Sequence, residues 1–65
     1  MQPFNVQGMT CAHCARAIES AIGEADPQAR VEVEVASGQV RVDSSLSAEA
    51  LIQLIEAEGY SAQRG

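Results

Sequence analysis

Apolar and polar residues alternate near the start of the chain, and the period of the pattern then changes. Phe4 and Val6 are separated by polar residues, which predicts a short strand that ends at Gly8. From Cys11 onward the small and apolar positions recur every three or four residues, which is the spacing of an amphipathic helix. These positions are Cys11, Cys14, Ala15, Ile18, Ala21, Ile22 and Ala25. The helix is expected to end before Pro27, because proline cannot continue the helical hydrogen bonds.

Two runs of alternating valines predict a β-hairpin with one apolar face. Its valines are Val31, Val33 and Val35 before the turn and Val40 and Val42 after it. On the opposite face Arg41 is expected within cross-strand reach of Glu32 or Glu34. Such an exposed pair helps to set the register of the strands but contributes little to stability.

A second helix and a last strand complete the chain. Ser47 is the predicted N-cap, and Leu46 before it can form a hydrophobic staple with Leu51. Gly59 is predicted to end this helix, and residues 60–64 are predicted to form a last short strand. The order βαββαβ predicts an α+β, ferredoxin-like sandwich, with both helices on one face of a four-stranded antiparallel sheet.

Length and charge narrow the classes of function. The 65 residues have room for one compact domain, which we assign to residues 1–65. The net charge of -5 has the wrong sign for binding phosphates, so we expect no nucleic-acid partner. The sequence has no apolar run long enough to cross a membrane and no signal-peptide pattern at its start. We therefore expect no direct membrane insertion and a cytoplasmic location.

The two cysteines, Cys11 and Cys14, lie where the first strand pattern gives way to the first helix pattern. A disulfide between them would close a loop too short to restrain the unfolded chain, and in the cytosol both thiols should be reduced. Unpaired N–H groups at a helix start favour thiolates, the form that binds metals. A structural zinc site needs four ligands, whereas this chain adds only His13, which is directed elsewhere. Two thiolates alone suit Cu(I) better.

Two other interpretations of the cysteine pair stay open. A small dithiol redox protein also keeps a C-x-x-C segment between a strand and a helix. This chain has no tryptophan before the pair and no proline just before a later strand, both of which thioredoxin-like proteins carry. Inert packing suits Cys14, which shares a helix stripe with Ile18 and Ile22, but it explains Cys11 poorly.

The segment 8–14, with the sequence GMTCAHC, resembles the GMTCxxC signature of heavy-metal-associated domains. That family includes small bacterial copper chaperones of the CopZ and Atx1 type and the N-terminal domains of copper-transporting P-type ATPases. The resemblance extends over the whole chain in length and element order, and Gly59 and Tyr60 match a Gly-Tyr pair of the bacterial chaperones. Mercury-binding relatives share the GMTC segment, so mercury stays open as an alternative metal.

This resemblance implies a carrier that catalyses no reaction. It implies that Cys11 and Cys14 bind Cu(I) and pass it by ligand exchange to a copper-transporting P-type ATPase. A copper-bridged homodimer is a second expected assembly, and an excised N-terminal domain of such an ATPase is the alternative identity. Met1 at the start, and an end soon after the last strand, favour the free carrier.

Four further residues are expected to lie beside the metal or to tune it. Met9 carries a thioether that could ligate copper, but it is expected to face inward and anchor the loop. Thr10 stands where zinc-exporting relatives often carry aspartate, so the resemblance disfavours zinc. His13 is expected to be exposed, with stabilisation of a thiolate or copper ligation across a dimer as the alternatives. Tyr60 is expected at the edge of the core, and the resemblance implies that it shields the metal loop.

Overall fold

The computed structural model describes residues 2–10 and 12–65, so Met1 and Cys11 lie outside the described residues. The helices and strands follow the predicted order βαββαβ. They are β1 (Gln2–Gln7), α1 (Ala12–Ala25), β2 (Arg30–Glu34), β3 (Gln39–Asp43), α2 (Ala48–Ala57) and β4 (Ser61–Arg64). β4 begins one residue later than predicted, because Tyr60 precedes the paired residues of that strand.

The four strands form one antiparallel sheet in the order β2-β3-β1-β4. The central strand β1 pairs with β3, with Phe4 opposite Val40, and with β4, with Val6 opposite Ala62. The first and last strands of the chain are therefore neighbours. This topology confirms the predicted ferredoxin-like sandwich.

The core lies between one face of the sheet and the two helices. Its buried residues come from three strands and both helices: Phe4, Val6, Ile18, Ile22, Val40, Val42, Leu51, Ile55 and Ala62. Phe4 and Val6 in β1, and Val40 and Val42 in β3, alternate with residues that are not buried. This alternation therefore predicted the buried face of the sheet correctly. Because β2 is an edge strand, its two valines are only half-buried. Val35 was predicted as a third valine of that strand, but this is wrong, since the residue lies in the turn after β2.

The opposite face of the sheet carries charged side chains. Arg41 lies directly opposite Glu32 in the register of β2 and β3, and its Nη2 atom is 3.4 Å from Oε1 of Glu32. Both side chains are exposed, and Glu34 lies opposite Gln39 instead. The pairing predicted for Arg41 is thus confirmed with Glu32.

Local signals set the ends of the helices as the sequence indicated. The Ser47 side chain accepts a hydrogen bond of 3.1 Å from the backbone N–H of Ala50, which confirms the N-cap of α2. The chain leaves this helix through Gly59, at a φ of +97°. In the described parts of the chain, neither helix has the length and apolar character that crossing a bilayer requires.

Candidate metal-binding loop

The GMTCAHC segment connects β1 to α1 at one end of the sandwich. β1 ends at Gln7, which pairs with Ser61 at the start of β4, so the loop lies beside the segment that links α2 to β4. Gly8 turns the chain out of the strand with a φ of +100°, a backbone conformation that residues with a Cβ rarely adopt. The strand, the loop and the end of α2 therefore meet at this end of the molecule.

Tyr60 lies against the start of this loop. A methyl group added at Gly8 would be 3.3 Å from Cδ1 of Tyr60, so the glycine leaves room for the ring to approach the backbone. The ring is half-buried and packs against the core. The structure thus places Tyr60 at the edge of the core and beside the loop, although its predicted shielding role stays a prediction.

Cys14 is the third residue of α1 and is half-buried. It lies one helical turn before Ile18, which is fully buried, so its position at the top of the apolar stripe is as predicted. The Oγ1 atom of Thr10 is 3.9 Å from the Cys14 sulfur, and either group can donate. Cys11, predicted as the other metal ligand, lies outside the described residues. Its role as a ligand stays a prediction.

The neighbours of the cysteines divide into one packed and two exposed side chains. Met9 is half-buried and packs against the core cluster, as expected for a residue that anchors the loop. Thr10 and His13 are both exposed. Among residues 2–10 and 12–65, no three side chains of the His, Cys, Asp and Glu types are grouped so that they could hold a metal ion.

Two helix ends with opposite polarity meet near this loop. α1 begins at Ala12, and its N-terminus, which carries a partial positive charge, lies next to Cys14. α2 ends close by, and its last turn and cap carry Glu56 and Glu58 with no basic side chain among them. The loop therefore lies between a helix start that stabilises negative charge and an acidic surface.

Sequence reasoning did not predict the contact between Thr10 and Cys14. A signal for it was present, since two residues four apart at a helix start can approach each other. It also did not assign a role to Asp26 beyond ending α1. That carboxylate, which lies at the opposite end of the helix from the loop, accepts a hydrogen bond from the Ser44 hydroxyl.

The ferredoxin-like sandwich and its cysteine-bearing loop define a class of small domains that bind soft metal ions. This chain belongs to the heavy-metal-associated domain family, whose sequence model matches residues 4–61. It is 40% identical over 60 residues to the copper chaperone CopZ of Staphylococcus haemolyticus, a match that covers 88% of each chain.

Solved structures give the same assignment of fold. The copper chaperone Atx1 from Synechocystis PCC6803, in a Cu2 form, is 30% identical and superimposes with a TM-score of 0.93. That match covers 97% of this chain and all of the other. A copper-binding domain from HMA7, a P-type ATPase, superimposes with a TM-score of 0.86 over 98% of this chain and 90% of its own. At 23% identity, this last likeness shows a common fold alone.

Proposed function

We propose that this protein is a Cu(I) metallochaperone, which holds one cuprous ion between the thiolates of Cys11 and Cys14. The observation that carries the proposal is the GMTCAHC segment at the junction of β1 and α1 in a chain whose relatives are copper chaperones. Copper is the cargo of such a protein. It stays Cu(I) throughout, and the protein carries it without acting as an enzyme.

The chemistry of the loop supports this cargo. Thiolates are soft ligands, and Cu(I) accepts a coordination number of two, whereas zinc or calcium would require further ligands. Cys14 is held by the first turn of α1, next to the partial positive charge of the helix N-terminus. Met9 fixes the loop from the inside by packing on the core, so its thioether is not needed as a ligand.

Release of the metal would proceed by exchange of sulfur ligands with a partner. A partner thiolate forms a bond to Cu(I) while one bond from this chain breaks, and the ion is never released to water. The proposed partner is the N-terminal metal-binding domain of a copper-transporting P-type ATPase. The HMA7 domain, which comes from a P-type ATPase, shares the fold of this chain. A copper-bridged homodimer would use the same exchange between two copies.

The surroundings of the loop suggest the charge of that partner. Glu56 and Glu58 lie at the end of α2, and the Tyr60 ring after them lies beside Gly8 of the loop. A partner that docks on this end should therefore present a basic face, and charge attraction should speed their encounter. The cytoplasm is the proposed location, because its reducing conditions keep both thiols available.

We also treat residues 1–65 as a single heavy-metal-associated domain. The pairing of the first strand with the last supports this assignment, since both ends of the chain belong to the same sheet. The core cluster likewise draws residues from Phe4 to Ala62.

An anaerobic titration with Cu(I) against a strong competing chelator tests the proposal. The protein should take up one Cu(I) per chain, and both Cys11→Ser and Cys14→Ser should lose tight binding while the fold persists. The matched control is His13→Ala, an exposed change in the same loop that should leave the stoichiometry at one. Tight copper binding by the Cys14→Ser protein would contradict the proposal. Turnover in a disulfide-reductase assay without tight copper binding would instead support a dithiol redox protein.

A further inference from the structure

The strand β2 forms one edge of the sheet, with β3 on its inner side and no strand beyond it in the described part of the chain. Its core-facing side chains, Val31 and Val33, are only half-buried, whereas Val40 and Val42 opposite them on β3 are fully buried. An edge strand presents unpaired backbone N–H and C=O groups to any strand that can lie beside it. We propose that β2 pairs with β2 of a second copy of this chain, so that two sheets join into one continuous sheet.

Symmetry limits the geometry of this pair. A two-fold axis perpendicular to the sheet keeps the helices of both copies on one side and makes the two β2 strands antiparallel. Side chains directly opposite each other must share a face, so the central residue of the pair lies opposite its own copy. A pair centred on a charged residue of β2 would oppose like charges, and one centred on Val33 would place Glu32 opposite Glu34. A pair centred on Val31 instead places Arg30 opposite Glu32 of the second copy, at two symmetric positions.

This register extends a row of charges that β2 and β3 already begin on the outer face of the sheet. Within one copy, Arg41 lies opposite Glu32, with its Nη2 atom 3.4 Å from Oε1, and Asp43 lies opposite Arg30. Arg30 is exposed and is in no ion pair with the described residues. Beside Glu32 of the second copy it completes a row in which the sign alternates: Arg41, Glu32, Arg30 and Asp43. Opposite charges on neighbouring strands stabilise their pairing, so the outer face favours this register.

The inner face of the pair is apolar. Val31 meets its own copy at the axis, and Val33 lies opposite Ala29 of the second copy. All three residues are half-buried and already pack against the core, so each loses exposed apolar surface on association. Because β2 has only five residues, the interface is small, and we expect the association to be weak.

This pairing differs from a copper-bridged homodimer. β1 and β2 both run antiparallel to β3, so β1 leads into the candidate metal-binding loop at the end of the sheet where β2 finishes. Two antiparallel β2 strands therefore direct the two loops to opposite ends of the assembly. The association needs neither a cysteine nor a metal. Its test is thus independent of the proposed copper function.

Two charge reversals test the pairing and its register. Arg30→Glu and Glu32→Arg each turn both unlike pairs of the interface into like pairs, so each should abolish self-association. Mixed in equal amounts, the two variants restore unlike charges at both positions and should associate with each other. Arg64→Glu makes the same change in charge on β4, the other edge strand, and should self-associate like the wild type. Replacement of both cysteines by serine should leave the association unchanged.

NMR relaxation of the backbone amides reports the association of the metal-free protein, and circular dichroism confirms that each variant is folded. The rotational correlation time of the wild type should rise by up to about twofold between about 0.05 and about 2 mM, a range suited to a small interface. In an equal mixture of isotope-labelled and unlabelled chains, isotope-filtered NOEs should join Val31 of one copy to Val31 of the other.

Four results would overturn the pairing. One is a wild type that stays monomeric at the highest concentration, and another is a loss of association in Arg64→Glu or in the double serine variant. The third is a mixture of Arg30→Glu and Glu32→Arg that does not associate although both variants are folded. The fourth is an NOE pattern between copies that joins Val31 to Val33, because this would place Glu32 at the axis.

Discussion

The Ser44 hydroxyl donates a hydrogen bond of 2.7 Å to the carboxylate of Asp26, and it thereby ties the residue after α1 to the loop before α2. The same carboxylate accepts from the backbone N–H of Gln28 at 3.2 Å and of Ser45 at 3.4 Å. These bonds favour the charged form, so the pKa of Asp26 lies below its ordinary value of 3.8, with the Ser44 bond as the largest cause. The cluster therefore links two crossover connections at the end of the molecule away from the metal-binding loop.

The lowered pKa of Asp26 predicts a specific loss of stability in acid. A carboxyl group whose folded pKa lies below its unfolded pKa stabilises the folded state above the unfolded value. That contribution is lost as the pH falls through the folded pKa, which here means below about 4. Asp26→Asn should therefore be less stable than the wild type at pH 7, and the difference should shrink at pH 3.

Urea unfolding of the two proteins at both pH values measures this difference. The subtraction removes the contributions to stability that the two proteins share. Ser44→Ala is the matched variant and should reproduce part of the loss at pH 7. A difference between wild type and Asp26→Asn that does not change with pH would contradict the assignment. Copper stoichiometry should be the same in all three proteins.

Two glycines should respond to alanine in opposite directions. Gly23 lies within α1, and a methyl group there would meet no atom within 4 Å. Gly23→Ala should raise the free energy of unfolding by about 0.5–1 kcal/mol, because alanine loses less backbone entropy on folding. Gly38 has a φ of +74°, and a methyl group added there would lie 2.6 Å from the carbonyl oxygen of Val6.

Gly38→Ala should accordingly be destabilising by more than Gly23→Ala is stabilising. The turn must move away from β1, and this breaks the hydrogen bond of 2.7 Å that the Val6 N–H donates to the Gly38 carbonyl. Thermal melts of the two single variants and the wild type are sufficient to check both signs. Equal melting temperatures for Gly38→Ala and the wild type would show that this turn can shift to accommodate the methyl group without loss of stability.

Tyr60→Ala tests whether the ring protects the bound metal. The ring approaches Gly8 at the start of the loop, so its removal should open a path for water and chelators. We expect one copper per chain to be retained, with capture by a chelator or oxidation in air several-fold faster. Tyr60→Phe is the control, because it keeps the ring and should behave like the wild type. If a chelator captured copper from Tyr60→Ala and from the wild type at the same rate, the Tyr60 ring would have a packing role and would not protect the metal.

The acidic end of α2 should matter for transfer more than for folding. Glu56 and Glu58 oppose the partial negative charge of the helix C-terminus, so Glu56→Gln with Glu58→Gln should raise stability by roughly 0.3–1 kcal/mol. If these charges steer a basic ATPase domain, the same double variant should slow copper transfer at low salt and flatten its salt dependence.

The matched control neutralises two glutamates at the other end of the molecule. Glu24 lies near the end of α1 and Glu49 in the first turn of α2, and both are exposed. Glu24→Gln with Glu49→Gln changes the net charge by the same amount as the test variant. Equal transfer rates for the two double variants would indicate that acidity acts through total charge instead of docking.

The features that were predictable from the sequence depend on neighbours within a few residues. The strand of Phe4 and Val6, the stripe of Ile18 and Ile22, and the Ser47 cap each follow from a local period or a single capping side chain. The end of β2 was predicted too late, because the alternation continues through Val35 although the backbone has already entered the turn.

Contacts between distant parts of the chain were not predictable in the same way. The bond from Ser44 to Asp26 joins residues 18 apart, and it exists because the antiparallel helices bring two connections to one end. The approach of Gly38 to Val6 similarly depends on β1 entering the sheet beside the hairpin. At the proposed metal-binding loop, the motif indicated the cysteines as candidate ligands, whereas the position of the Tyr60 ring beside Gly8 required the fold.

The two cysteines should differ in reactivity even though both are proposed to bind the same ion. Cys14 is half-buried in the first turn of α1 and shares the apolar stripe with Ile18 and Ile22, which limits the approach of a reagent. Cys11 precedes the first described residue of the helix, and we expect it to react first with an alkylating agent and with an incoming partner. By microscopic reversibility, Cys14 would then be the first sulfur to leave during donation. Limited alkylation of the metal-free protein at neutral pH, followed by peptide mass mapping, should label Cys11 several-fold faster than Cys14. Equal labelling, or a faster Cys14, would overturn this order of events.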